Sequence, residues 1–239
     1  MIAAGTIQAM ARKDQTSELN VRREYFQHVF LSHLYRQPDS GQAYFKGGSA
    51  LRLIYRSPRY SEDLDFDTPE GDVKTIETMI AEVLDEIEQE GITTDIHEAK
   101  PTSGGYLADL EFSAGETTVT IQLEMSFRKK EQRGEVTQVG SDFLPLYAVT
   151  QVRQEDLVAG KLSALLSRGK PRDFYDLYFM LRANLLLPEQ RRELPRVIEA
   201  LHKTKAAFEP ELKQFLPRHQ WVIIKNLRTA LEREIKRFI

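Results

Sequence analysis

The sequence contains no cysteine among its 239 residues, so disulfides, thiol nucleophiles and cysteine-ligated zinc or iron–sulfur sites are all excluded. Histidine is scarce as well. The five present (His28, His33, His97, His202 and His219) show no HxxxH or HExxH spacing, which argues against a histidine-built metal site. No apolar run approaches the roughly 18 residues that cross a bilayer, and the N-terminus lacks a charged stretch followed by an apolar one; a cytoplasmic protein with no membrane contact is expected. What is there is an ordinary globular composition, 41% hydrophobic and 29% charged, long enough for one large domain or two small ones.

The net charge of −3 conceals an asymmetry. Residues 1–144 carry 15 basic and 25 acidic side chains, a balance of −10, whereas residues 145–239 carry 18 and 11, a balance of +7. An acidic half followed by a basic half suits a carboxylate metal site beside a lobe that holds a polyanion. The basic positions (Arg191, Arg192, Arg196, Lys203, Lys205, Lys225, Arg228, Arg233, Lys236 and Arg237) fall on predicted helices, where a solvated face is the plainer reading.

Hydrophobic periodicity predicts an α+β architecture: an N-terminal mixed sheet with flanking helices over 1–150, then a helical domain over 151–239, joined near 145–152. Helices are expected at 16–36, capped by Thr16 or Ser17 with Leu19, Tyr25, Phe26, Val29, Phe30 and Leu34 as its apolar face, and at 72–90, capped by Asp72 and ended by Gly91. Short strands are expected at Ala43–Lys46 and Asp63–Phe66, and longer ones at 92–97, 105–113 and 117–127. Helices follow at 155–168, 172–184, 189–203 and 219–238, with Pro171, Pro188 and Pro217 as breakers and with Phe215 and Trp221 as core residues.

Chemistry concentrates in Phe45-Lys46-Gly47-Gly48-Ser49-Ala50-Leu51 and in Arg59-Tyr60-Ser61-Glu62-Asp63-Leu64-Asp65-Phe66-Asp67. Two glycines without Cβ atoms let the backbone turn sharply and approach a ligand, and the helix predicted after them presents unpaired N–H groups. That combination suits a phosphate, with the Ser49 hydroxyl as a further donor. Asp63 and Asp65 lie two apart on an extended segment, so their carboxylates share a face. Paired hard oxygen ligands beside a phosphate cradle suit Mg²⁺. Glu124, on the polar face of the 117–127 strand, is a candidate third carboxylate for a two-ion site. Taken singly, these are a turn, solvated aspartates and a half-exposed glutamate; their order in a strand–turn–helix–strand frame is what makes them specific.

A second set lies in the helical half. Lys161 and Arg168 are seven apart on one helix, and Asp173 and Asp176 three apart on the next, so each pair shares a face. Spacing alone leaves two readings open: a structural salt-bridge cluster where two helices cross, or an ammonium for a triphosphate with Asp176 orienting it or serving as base.

The Gly-Gly-Ser followed by Ser-x-Asp-x-Asp resembles the signature of polymerase-β-type nucleotidyltransferases, and the fit is closer to one branch, the AbiEii family of nucleotidyltransferase toxins. That branch is marked by Lys-Gly-Gly-[Ser/Thr]-Ala-Leu, here Lys46–Leu51, and by Arg-x-Ser-x-Asp-[Leu/Ile]-Asp, here Arg59–Asp65. Its later motif matches Glu155, Lys161-Leu162-Ser163-Ala164-Leu165, Arg168 and Arg172-Asp173-Phe174-Tyr175-Asp176-Leu177. The resemblance implies transfer of NMP from an NTP, with Mg²⁺, to an acceptor hydroxyl such as the 3′ end of a tRNA, in a toxin–antitoxin or phage-defence system with a cognate antitoxin protein. It implies Asp63, Asp65 and Glu124 as metal ligands. It gives Gly47, Gly48, Ser49 and Ser61 to the triphosphate, with Lys46 and Arg59 offsetting local charge, and makes Lys161 and Asp176 catalytic, with Arg168 and Asp173 beside them. A transferase acting on a protein or small molecule, and a non-catalytic nucleotide-binding module, are the alternatives.

Overall fold

Strict apolar–polar alternation at 117–126 gives that segment one face for a core and one for something else, and its neighbours follow the same two-residue period. The computed structural model describes residues 2–69, 71–115, 117–127 and 132–239, and its chain is α+β, falling into two units. The first comprises Met1–Arg56 and Tyr60–Val152, the second Ser57–Arg59 and Arg153–Ile239. The chain thus departs from the first unit after Arg56, whose φ of +63° marks the turn, for only three residues before returning.

The strands of the first unit are β1 (Tyr44–Lys46), β2 (Leu64–Asp67), β3 (Thr93–Thr102), β4 (Gly105–Ala114), β5 (Thr117–Ser126), β6 (Gly134–Val139) and β7 (Tyr147–Val152). They form one mixed sheet in the order β3-β4-β5-β2-β1-β7-β6, in which β2–β5 and β1–β7 are parallel and the other pairs antiparallel. Its helices are α1 (Ala4–Asp14), α2 (Glu18–Leu34), α3 (Gly47–Leu53) and α4 (Val73–Gln89). One face of the sheet buries Phe45, Phe66, Leu110, Phe112, Ile121 and Leu123, and α2 lays Phe26 and Phe30 over Phe112 with ring centroids 5.4 and 6.4 Å apart. In α4, Asp72 accepts the Thr75 N–H at 3.1 Å, and Ile76, Met79, Ile80, Val83, Leu84 and Ile87 are buried. At about 1.5–3 kcal/mol for each large apolar side chain, that stripe holds the helix in place.

Several elements differ from expectation. Leu19, placed on the apolar face of α2, is 48% exposed, and α2 buries 12 of its 17 residues because it is packed on more than one side. The expected junction at 145–152 is β7, lying beside β1 with Gln151 opposite Phe45. Its alternation is masked by Gln151 itself, a buried polar residue whose amide donates to Glu135 at 2.9 Å. The elements α1 and β6 have no counterpart in the periodicity.

The second unit contains α5 (Gln154–Arg168), α6 (Pro171–Arg182), α7 (Leu194–Lys203), α8 (Phe208–Phe215), α9 (Trp221–Lys225) and α10 (Leu227–Ile235). Gly169, left-handed at φ +55°, closes α5, and Pro171 opens α6 at a position whose N–H has no helical partner to lose. The expected 219–238 helix is split at Asn226 into α9 and α10, and α8 fills the gap left after 203. Phe215 is buried and Trp221 anchors its indole N–H on the Leu216 carbonyl at 3.0 Å. Among the described residues no helix is long and apolar enough to cross a membrane.

Candidate active site

Because Leu64 and Phe66 point into the core, the two-residue period turns Asp65 and Asp67 to the opposite side of β2, and Asp63 stands immediately before the strand. Asp65 is flanked in register by Lys46 on antiparallel β1 and by Glu124 on parallel β5. Side chains so paired lie about 5 Å apart at their Cβ atoms, so a Lys46–Asp65–Glu124 row crosses three strands. Lys46 reaches diagonally to Asp67, with Nζ 2.5 Å from Oδ1 of a carboxylate that is 1% exposed. Asp67 was not among the expected site residues, although the period that joins Asp63 to Asp65 extends to it.

The Gly47 turn and the aspartate strand meet directly. Gly47 has φ +83°, and a Cβ there would overlap Oδ2 of Asp65, so both the backbone angle and the close approach require glycine. Gly48 is buried and Ser49 wholly so; the Ser49 hydroxyl donates to the Asp63 carbonyl oxygen. The hydroxyl expected to face a phosphate thus holds the Asp63 backbone in this structure. Ser61 is half-buried and its carbonyl accepts from Gln27 at 3.0 Å.

Asp63 and Asp65 are half-buried and Glu124 is exposed. Among the described residues no three His, Asp or Glu side chains form a ready-made metal cluster. The donor set still fits Mg²⁺, which is held by one or two carboxylates together with water and substrate phosphates rather than by an all-protein cage.

In the helical unit the second set forms two ion pairs. Asp176 accepts both Nε and Nη2 of Arg59, at 2.7 and 2.8 Å, and Nζ of Lys161 at 2.7 Å. Asp173 takes the Arg168 fork at 3.0 and 2.7 Å and the Lys170 N–H at 3.0 Å, which also caps α6. Both aspartates are 1% exposed and Arg59 is 3% exposed. Arg59, expected at the nucleotide, has its fork filled by Asp176 and reaches no solvent. Burial pushes the Asp176 carboxyl up, but Arg59 and then Lys161 outweigh it and hold it down to about 2. A carboxylate so held is a poor proton acceptor at neutral pH, which favours an orienting role over a base.

The folded value lies below the ordinary carboxylate value of about 3.9, so the stability Asp176 contributes is complete above about pH 4 and is lost as pH falls through about 2. Urea midpoints measured from pH 6 to pH 2 should fall within that window, and more steeply than in a variant with both Arg59 and Asp176 made apolar. Equal acid slopes would show that Asp176 is not what the acid titrates.

A family model described as nucleotidyl transferase AbiEii toxin, type IV TA system, matches residues 29–237. Two crystal structures from Helicobacter pylori share the fold. A candidate nucleotidyltransferase gives a TM-score of 0.71 at 21% identity, covering 93% of this chain and 95% of that one. JHP933 also gives 0.71, at 20% identity and 93% coverage of each chain. No curated protein matches.

Proposed function

The chain belongs to the AbiEii family of nucleotidyl transferase toxins of type IV toxin–antitoxin systems, and from that premise we propose that it moves a nucleoside monophosphate from an NTP to an acceptor hydroxyl at the 3′ end of a tRNA. The acceptor hydroxyl loses its proton to solvent as its oxygen forms a bond to the α-phosphorus, the bond from that phosphorus to the α–β bridging oxygen breaks, and pyrophosphate leaves. The reading includes Mg²⁺, a phage-defence setting, a cognate antitoxin protein and a cytoplasmic location.

The observation that carries it is the contact between Gly47 and Asp65, which places a turn able to take a phosphate against a carboxylate able to hold a cation. Asp63, Asp65 and Glu124 would hold the metal, which would offset the triphosphate charge and lower the pKa of the acceptor hydroxyl. The backbone N–H groups of the Gly47–Gly48 turn would meet phosphate oxygens, Ser61 lies in the segment leading to β2, and Lys46, paired with Asp67, supplies positive charge beside Asp65. In the second unit Lys161, the ammonium assigned to the triphosphate by the resemblance, is oriented by Asp176, itself held by Arg59; Arg168 and Asp173 hold the start of α6. Incubation with Mg²⁺, total RNA and each labelled NTP in turn is expected to label a tRNA band. Label appearing in protein or small molecules would favour the alternative transferase, and no label with any NTP would leave a binding module.

The basic half is less free than its balance suggests. Arg228 directs its fork to the carbonyls of Leu201, Thr204 and Ala206, and Lys236 pairs with Glu232 at 2.9 Å. Arg218, Lys225 and Arg233 are exposed and form no salt bridge among the described residues. If the acceptor docks there, neutralising these three should weaken tRNA binding and leave NTP binding unchanged. The slope of log K against log salt should become shallower by about 0.7–0.9 for each RNA phosphate that is no longer neutralised. An unchanged slope would put the RNA elsewhere.

A further inference from the structure

Asp63 lies outside the sheet ladder: residues 54–63 run from α3 to β2, and 60–63 have no regular structure of their own. Side chains take over the work a strand neighbour would do. Gln27, within α2 and 1% exposed, donates from Nε2 to the carbonyl oxygens of Ser61 at 3.0 Å and Glu62 at 3.3 Å. Ser49 of α3 donates to the next carbonyl, that of Asp63. Three consecutive carbonyls are thereby held by donors from two helices. Just upstream, Tyr60 is covered by the Arg52 guanidinium 3.9 Å above its ring, and Arg52 is fixed by Glu24 of α2 at 2.6 Å.

We propose that Gln27 is a positioning residue of the active site, whose amide fixes the Ser61–Glu62 backbone and so sets where the Asp63 carboxylate is presented. A buried carboxamide in a helix otherwise packed by Phe26, Val29 and Phe30 costs stability unless its hydrogen bonds are made. Here both go to the segment that carries the site. The inference rests on the reading of Asp63 as a metal-holding carboxylate. Groups that orient a ligand from behind it commonly govern affinity or activity by about 10–100-fold.

The test uses Gln27→Met, which keeps the length without the donor, and Gln27→Asn, which keeps the amide but falls one methylene short. Mn²⁺ binding to the protein is followed by the ion's paramagnetic signal, and transfer is measured against Mg²⁺ with all four NTPs present. Both variants are expected to fold and to bind Mn²⁺ about tenfold more weakly or worse. The Mg²⁺ needed for half-maximal transfer should rise by a similar factor, with the rate recovering at saturating Mg²⁺. Unchanged Mn²⁺ affinity in a folded variant, or unfolding of both, would make Gln27 a core residue and overturn the proposal. Asp63→Ala is run beside them. If it too keeps Mn²⁺ and transfer, the metal reading itself has failed; if it alone loses both, only the role of Gln27 has.

Discussion

Asp63→Ala is expected to abolish nucleotide transfer while leaving the fold in place. The backbone carbonyl of Asp63 accepts from Ser49, and alanine keeps that group. The side chain is half-buried and outside the apolar cluster of Leu64 and Phe66, so its removal opens no cavity in the core. What is lost is one of the hard oxygen ligands proposed for the metal, the one immediately before β2, and Asp65 with the exposed Glu124 is a weaker set without it. The loss should exceed the about 100-fold seen when only a supporting group is removed. The check is incorporation of labelled nucleotide, alongside thermal unfolding to show that the variant is folded. Near-normal incorporation by folded Asp63→Ala would remove the metal assignment.

The sequence made the contents of this site legible because the chemistry sits in short, ordered motifs. The two-residue period of β2 and β5 places Asp63, Asp65 and Glu124 on the polar face, and the register of the sheet then sets Asp65 beside Glu124. The wiring was not legible, because it depends on contacts distant in sequence. Arg59 stands four residues before Asp63, which invites a nucleotide-binding role, yet its partner Asp176 lies 117 positions away. Ser49 reads as a phosphate donor, and nothing in the sequence shows that its hydroxyl also bonds the Asp63 carbonyl fourteen residues on. Gln27 carries one faint signal, an amide amid the apolar stripe of α2. The strand β7 was hidden for a related reason. Its buried Gln151 breaks the apolar alternation, and the partner of its amide nitrogen, Glu135, lies on the neighbouring strand.

The two readings of the charged cluster, structural and functional, are expected to prove compatible, and the Arg59–Asp176 pair can show it. Asp176→Leu leaves the Arg59 guanidinium, 3% exposed, without its carboxylate, and a buried pair broken in this way costs about 3–5 kcal/mol. Arg59→Met leaves Asp176 with Lys161 alone and should cost less, because one cation remains at 2.7 Å. The double variant replaces both charges by apolar side chains of similar size, so its stability should return close to wild type, giving a large favourable coupling in the cycle. Transfer should not return with it. Lys161, 11% exposed at its side chain, is held by Asp176, and an ammonium released from that anchor no longer has a fixed direction. The double variant should therefore be as inactive as Lys161→Ala, although Lys161→Ala leaves the buried Arg59–Asp176 pair intact and should stay folded. Lys161→Arg should rescue little, since a planar fork does not replace a compact point charge. The measurements are urea unfolding of the four members of the cycle and transfer by each, with Lys161→Ala as the reference for loss of the ammonium. A stable double variant with wild-type transfer would return the cluster to a purely structural role, and additive destabilisation would show that the two buried charges do not support each other.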